Sequence, residues 1–414
     1  MLPKRVRAGS LGSMTRTLYA GASIIDGTGA DPAVADLVVE DGRIVEIGPG
    51  LDGDERVDLD GQSLLPGLFD CHTHVVVSSI DTMRLLQMPF SYRFFLAAKN
   101  LEATLRIGIT TVRDAGGADL GIKQAVEDGV VRGPRMHISL SMISQTGGHG
   151  DGWMPSGASI KALLPKHPGV PETIVDGPDE MRRTVRTLIR MGADVIKVAT
   201  SGGVLSPRDK PTHAHLRLEE LEVLVEEATA AGIFVMAHAQ AAPGIKNAVR
   251  AGIRSIDHGI YLDDEAIELM LLHGTWLVPT LVAPRGVIDA ADAGASIPEA
   301  SVAKAREVVE THRASFAKAV EAGVKVAMGT DSGVTPHGEN LRELALMVDG
   351  GMTPMQAIEA TTRSAAELMG LEDELGTLEP GKRADFAVVD GDPLDIGTLA
   401  ERITAVYQDG RQVV

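Results

Sequence analysis

Between about residues 64 and 370 the chain alternates short apolar runs with longer stretches of helical periodicity, and this alternation constrains the fold most tightly. Candidate strands end at His74, Asp114, Leu140, Val198, His238, His258, Thr280 and Asp331. Helical patterns lie between them, at Pro178–Met191, Leu218–Ala231, Glu265–His273 and Val302–Ala322. Repeated strand–helix units in this number predict an α/β fold, a (β/α)8 TIM-like barrel over residues 64–370. A doubly wound open sheet shows the same alternation, and only the placement of polar residues separates the two. The flanks differ in texture. Residues 17–63 and 371–414 are β-like, with a hairpin signal at Asp41-Gly42, and predict one small β-sandwich domain assembled from both termini. Residues 1–16 are expected to be a disordered extension, with Met14 an alternative start.

All strands of such a barrel deliver their C-terminal ends to one mouth. His72 and His74 sit at i and i+2 of a strand read from Leu64 onward, so both imidazoles face the same way. Lys197, His238, His258 and Asp331 fall at the ends of four further strands. Neutral imidazole is a common metal ligand, and the joint pattern predicts a metal site at the mouth. Lys197 lies within an apolar strand, where an ammonium is costly to bury. It is either a salt-bridged lysine or a neutral amine carbamylated by carbon dioxide, since burial lowers a lysine's pKa. Cys71 alternates away from the two histidines and reads as a buried structural thiol. Asp263-Asp264-Glu265 reads as a helix N-terminus and not as a second metal site.

The formal net charge of −18 argues against nucleic-acid and anionic-membrane partners. No apolar run approaches the ~20 residues that span a bilayer. The single cysteine excludes an internal disulfide and fits a reducing, cytoplasmic location. A homo-oligomer is the ordinary expectation.

With these residues in place the chain resembles the amidohydrolase superfamily over essentially its full length. The resemblance rests on His72-Thr73-His74, Lys197, the strand-closing His238 and His258, Gly329-Thr330-Asp331, and the late segment Gly376 to Asp385. It implies two divalent ions, most often Zn2+, with His72, His74 and Asp331 on one and His238 and His258 on the other. A carbamylated Lys197 and a hydroxide would bridge them, and Asp331 would act as general base and then acid. Ala241 stands where the deaminase branch carries a glutamate, which disfavours deamination. The glycine-rich Gln145–Gly152 segment resembles that of Xaa-Pro dipeptidases, carboxypeptidases and ochratoxin-type amide hydrolases. Its His149 is expected to donate to the substrate carbonyl or carboxylate. Peptidase-like members often place a tyrosine just after the strand-5 histidine; this chain has Gln240 and Ala241 there, and Tyr261, Arg285 or Arg208 are candidate substitutes. His337 is a candidate pocket residue on the loop after Asp331. For each of these four a surface or packing role competes.

The expected activity is therefore metal-dependent hydrolysis of an amide C–N bond in a dipeptide or N-acyl amino acid, ochratoxin-like amides included. The alternatives are a carbamate, phenylurea or cyclic-amide hydrolase of imidazolonepropionase type, and a non-catalytic barrel scaffold.

Overall fold

A computed structural model of the chain describes residues 15–154, 156–159, 165–206 and 209–414. The expected N-terminal extension therefore falls almost wholly outside the described residues, as does Arg208. The fold is α/β, and its central strands run parallel.

Both ends of the chain build one sheet. Strands β1 (Thr17–Ile24), β2 (Ala33–Glu40), β3 (Arg43–Gly48), β4 (Glu55–Asp58) and β5 (Gln62–Pro66) come from the N-terminal flank. The C-terminal strands complete the order β16-β15-β14-β5-β1-β2-β3, with β14 at Phe386–Asp390, β15 at Ile403–Gln408 and β16 at Arg411–Gln412. The hairpin between β2 and β3 turns at Asp41-Gly42, where both residues have positive φ, as a tight primed turn requires. β1 is long enough to share one edge between β4 and β5, so all eight strands belong to one hydrogen-bonded network. Tyr19, Phe386 and Tyr407 cluster at its core with ring centroids 4.5–5.2 Å apart.

The apolar run read as one strand from Leu64 to His74 divides at Gly67. Its first half, β5, pairs antiparallel with β14 in the terminal sheet. Its second half, β6 (Leu68–Thr73), pairs parallel with β7 (Ile109–Asp114). Glycine is required at the division because a Cβ there would collide with the Thr110 side chain.

β6, β7 and β8 (Arg135–Ile138) form one parallel sheet. A second contains β9 (Met142–Ile143), β10 (Val195–Ala199), β11 (Phe234–Ala239), β12 (Ser255–His258) and β13 (Trp276–Val278). β8 and β9 are separated by a kink at Leu140, whose φ is +65°. The expected last strand, ending at Asp331, is irregular. It makes single bridges at Val326 to Leu277 and at Ser332 to Thr73. Between them the Asp70 carboxylate takes the Thr330 N–H (3.2 Å) and hydroxyl (2.6 Å), beside a backbone bond from Asp331 N–H to His72 O (2.7 Å). The backbone still reaches both neighbours, through Ala327 N–H to Leu277 O (3.0 Å) and Cys71 N–H to Met328 O (2.9 Å).

Helices pack outside these strands. The Pro178–Arg190 helix buries Met181, Val185 and Leu188, spaced to make a single stripe. The Asp264–His273 helix is capped by the Asp263 carboxylate accepting from Ala266 N–H, which gives the acidic run its structural role. Among the described residues no helix is long and apolar enough to cross a membrane.

Candidate metal centre

The C-terminal ends of the parallel strands open on a cavity of about 380 Å3. His72, His74, Lys197, His238, His258 and Asp331 all line it. Separations of up to 186 residues in sequence (His72 to His258) thus collapse to ring-to-ring distances of 4.6 Å for His238–His258, 5.0 Å for His72–His258 and 5.5 Å for His72–His74.

Each of the four imidazoles is held through one nitrogen. His72 Nδ1 meets the Asp257 carboxylate at 2.8 Å, and His74 Nδ1 meets Gly116 O at 2.8 Å. His258 Nδ1 meets the Thr280 hydroxyl at 2.7 Å, and His238 Nε2 meets Gly202 O at 3.2 Å. Every ring keeps its second nitrogen for another partner. Anchoring one imidazole nitrogen while freeing the other is how metal-binding histidines are oriented. Asp331 Oδ1 lies 3.4 Å from His72 Nε2 and 3.2 Å from His74 Nε2. Donor atoms of His72, His258 and Asp331 all fall within 4.8 Å of one another, so this set fits a metal ion.

The electrostatics agree with that chemistry. Burial, reinforced by neighbouring rings, holds His238 and His258 well below the usual histidine range, which keeps them neutral. Burial opposes charge on Asp331, yet His72 and His74 overcome it and hold the carboxyl well below its ordinary range. Lys197 is 1% exposed; burial lowers its pKa, and Asp257, 3.1 Å from Nζ, opposes the shift.

Asp257 and Arg113 belong to this buried network, and sequence reasoning missed them. Asp257 is fully buried among His72, Lys197 and Arg113, and despite the burial the two cations keep it ionised. Strict alternation puts Asp257 and His258 on opposite faces of β12. His258 has φ +77°, a rare conformation that turns its ring into the cavity while Asp257 points inward with Ser255. Thr280 (φ +53°) and Asp331 (φ +60°) share this strained region, each at an expected cost of roughly 1–3 kcal/mol. The two adjacent polar residues at a strand end were the available signal.

Among the substrate-site candidates, His149 lies on the cavity wall. Its ring stacks on His238 at 4.1 Å, and Nδ1 meets the Ser206 hydroxyl at 2.8 Å. Three others do not line this cavity. Arg285 lines a separate hollow with Glu310 and Arg313, on the outer side of its helix. Tyr261 packs beside Ile260 and Val287 without lining the cavity. His337 is half-buried, with Nε2 bonded to Val77 O at 3.1 Å, and desolvation of the ring lowers its pKa to about 4. Cys71 sits in an apolar cluster with Phe69, Trp276 and Val278, where burial pushes the thiol up to about 12.

Comparisons with known proteins agree with this geometry. Residues 63–413 match the model of the amidohydrolase family. The chain is 37% identical to an ochratoxinase of Aspergillus niger over 418 aligned residues, covering 95% of this chain and 85% of that one. A Xaa-Pro dipeptidase structure with methionine bound in its active site superposes with a TM-score of 0.86 at 32% identity, covering 96% of this chain and 99% of the other. A prolidase complexed with N-methylphosphonate-L-proline gives 0.86 at 34% identity, with coverage of 96% and 99%. The chain belongs to the amidohydrolase family and is a hydrolase acting on amide bonds.

Proposed function

We propose that the protein hydrolyses N-acyl amino acids or dipeptides, ochratoxin-like amides among them, through two divalent metal ions held at the strand ends. The observation that carries this reading is the set of four imidazoles, each pinned by one nitrogen and facing the same cavity as Lys197 and Asp331. His72, His74 and Asp331 would hold one ion and His238 and His258 the other, with Lys197 between. The ions, zinc in this reading, supply Lewis-acid polarisation of the scissile carbonyl and acidify water.

The chain's own residues do the rest. In its deprotonated form, which burial favours, the Lys197 amine would add to carbon dioxide, forming an N–C bond and releasing one proton, and so become an anionic carboxylate. Asp331 takes the proton from the attacking water and delivers it to the leaving nitrogen. His149, fixed by Ser206, donates to the substrate from the wall. With β8 and β9 taken as one strand kinked at Leu140, the two parallel sheets and the 326–332 segment read as one closed eight-stranded barrel, with residues 17–63 and 371–414 forming a separate sandwich against it.

The remaining wall is aliphatic, with Val77, Ile80, Val204, Leu205, Val287 and Val334. It favours a substrate with a bulky apolar group beside the amide. The related ochratoxinase and the methionine-bound dipeptidase support an amino-acid product. Metal analysis together with a panel of N-acyl amino acids, dipeptides, lactams and phenylureas tests the reading. Two metal equivalents and cleavage of N-acyl amino acids with apolar side chains are expected. Turnover of lactams or phenylureas alone would overturn it.

A further inference from the structure

One short stretch after β10 supplies both aliphatic wall and support for His149. Val204 and Leu205 line the cavity, and the Ser206 hydroxyl meets His149 Nδ1 at 2.8 Å. The His149 ring lies so close on Gly203 that a Cβ there would collide with it. The Asp209 carboxylate accepts from Gly203 N–H at 3.2 Å and from the Ser206 hydroxyl, which ties the stretch to itself. The helix Glu299–Glu321 grips it from outside, with Ala305 and Val308 clustered against Val204.

Lys304 of that helix makes the polar part of the grip. Its Nζ lies 2.9 Å from Gly203 O, 2.6 Å from Ser206 O and 3.1 Å from Asp209 O. Three acceptors call for three N–H donors, so the group is an ammonium. The Ser206 and Asp209 carbonyls take no backbone N–H among the described residues, so without the ammonium they would converge on one point unpaired. Lys123, Lys246 and Lys382 are bound to carboxylates instead, whereas Lys304 has the Asp209 carboxylate only at 3.9 Å. Gly202, whose carbonyl meets His238, lies outside this ring and is fixed by its own N–H to His213 O at 3.0 Å. Loss of the ammonium therefore reaches the wall and spares the ligands on the floor.

We propose that Lys304 is a positioning residue for the substrate: its ammonium shapes the stretch that presents Val204, Leu205 and the Ser206-held His149, and so sets a preference for bulky apolar groups beside the amide. This rests on the N-acyl amino acid reading given above. Because the ammonium is held through hydrogen bonds to carbonyls, a free ammonium ion can take its place once the side chain is removed.

The test measures kcat/KM for N-acetyl-phenylalanine and N-acetyl-alanine with the metal-loaded wild type and Lys304→Ala. Each is assayed in ammonium chloride and in tetramethylammonium chloride, a cation without N–H, at equal ionic strength. In tetramethylammonium the variant is expected to narrow the phenylalanine-to-alanine preference about tenfold, with metal content unchanged. Ammonium should recover about fivefold of that loss in the variant and leave the wild type as it was. A lysine that only stabilised the fold would lower the thermal midpoint and leave the preference alone below it. An unchanged preference in the folded, metal-loaded variant, or no response to ammonium, would overturn the proposal. Should Lys304→Ala fail to fold, Lys304→Met fills the space and is carried through the same substrate pair; a narrowed preference is expected, and an unchanged one overturns the proposal. If lactams or phenylureas alone are cleaved, the substrate reading falls instead, and the same comparison on a large and a small member of those compounds decides the role of Lys304.

Discussion

The floor and the wall of the cavity are built on opposite principles. On the floor, charged and ligating groups are buried and tied: Asp257 alone touches His72, Lys197 and Arg113. The wall is aliphatic and carries few polar groups, of which His149 is anchored and Gln240 is not. A tied floor orders the candidate metal ligands in advance, so reorganisation on binding is small. An aliphatic wall binds by shape and area, and tolerates change. On the proposed function, the chemistry is concentrated below and the choice of substrate above.

Four experiments bear on this division. The largest effect belongs to the floor: Lys197→Ala should lower kcat/KM by roughly a thousandfold or more, with loss of bound metal seen by elemental analysis. Retained activity would detach the lysine from the metal centre. Asp257→Asn touches no substrate yet frees His72 and Lys197 together, and should weaken metal affinity by about 10–100-fold in a chelator competition. On the wall, Val287→Ala should change kcat/KM by about tenfold between substrates of large and small apolar groups, while metal content stays constant. If it costs as much as Asp257→Asn, the two zones are not separate.

The smallest effect concerns the joint between them. Glu343 is fully buried and accepts from Leu281 N–H (2.7 Å) and Val282 N–H (2.8 Å). It steadies the turn in which Thr280 pins His258 on the floor and from which Ala283 and Val287 enter the wall. Burial pushes its carboxyl from the ordinary 4.5 up to about 8. Between those values the folded state holds a proton that the unfolded state has released. Stability therefore falls as pH rises through this window and levels above it. Thermal unfolding of the metal-free protein between pH 5 and pH 8 should show this slope, and Glu343→Gln should flatten it.

That the six candidate ligands would meet in one cavity was legible in the chain, because they follow a local rule. Strand alternation aims His72 and His74 together, and a strand end places each of the other ligands. Where that rule is broken it fell short: the positive φ at His258 lets neighbouring Asp257 also face inward, and the adjacent polar pair Asp257-His258 is the trace this leaves in the sequence. The wall was less legible. Arg285 and Tyr261 stood at plausible positions after the right strands, yet Arg285 opens on another hollow and Tyr261 packs sideways.

The amino-acid sequence by itself determined the strand–helix alternation, the ligand types and the buried lysine, since periodicity and residue chemistry are local properties. Only the tertiary structure decided that β5 leaves the parallel strands at Gly67, that Asp257 joins Arg113 and Lys197, and that Gln240 sits unpaired in the wall. Those facts depend on what each side chain meets across long sequence separations, and local patterning carries no record of it.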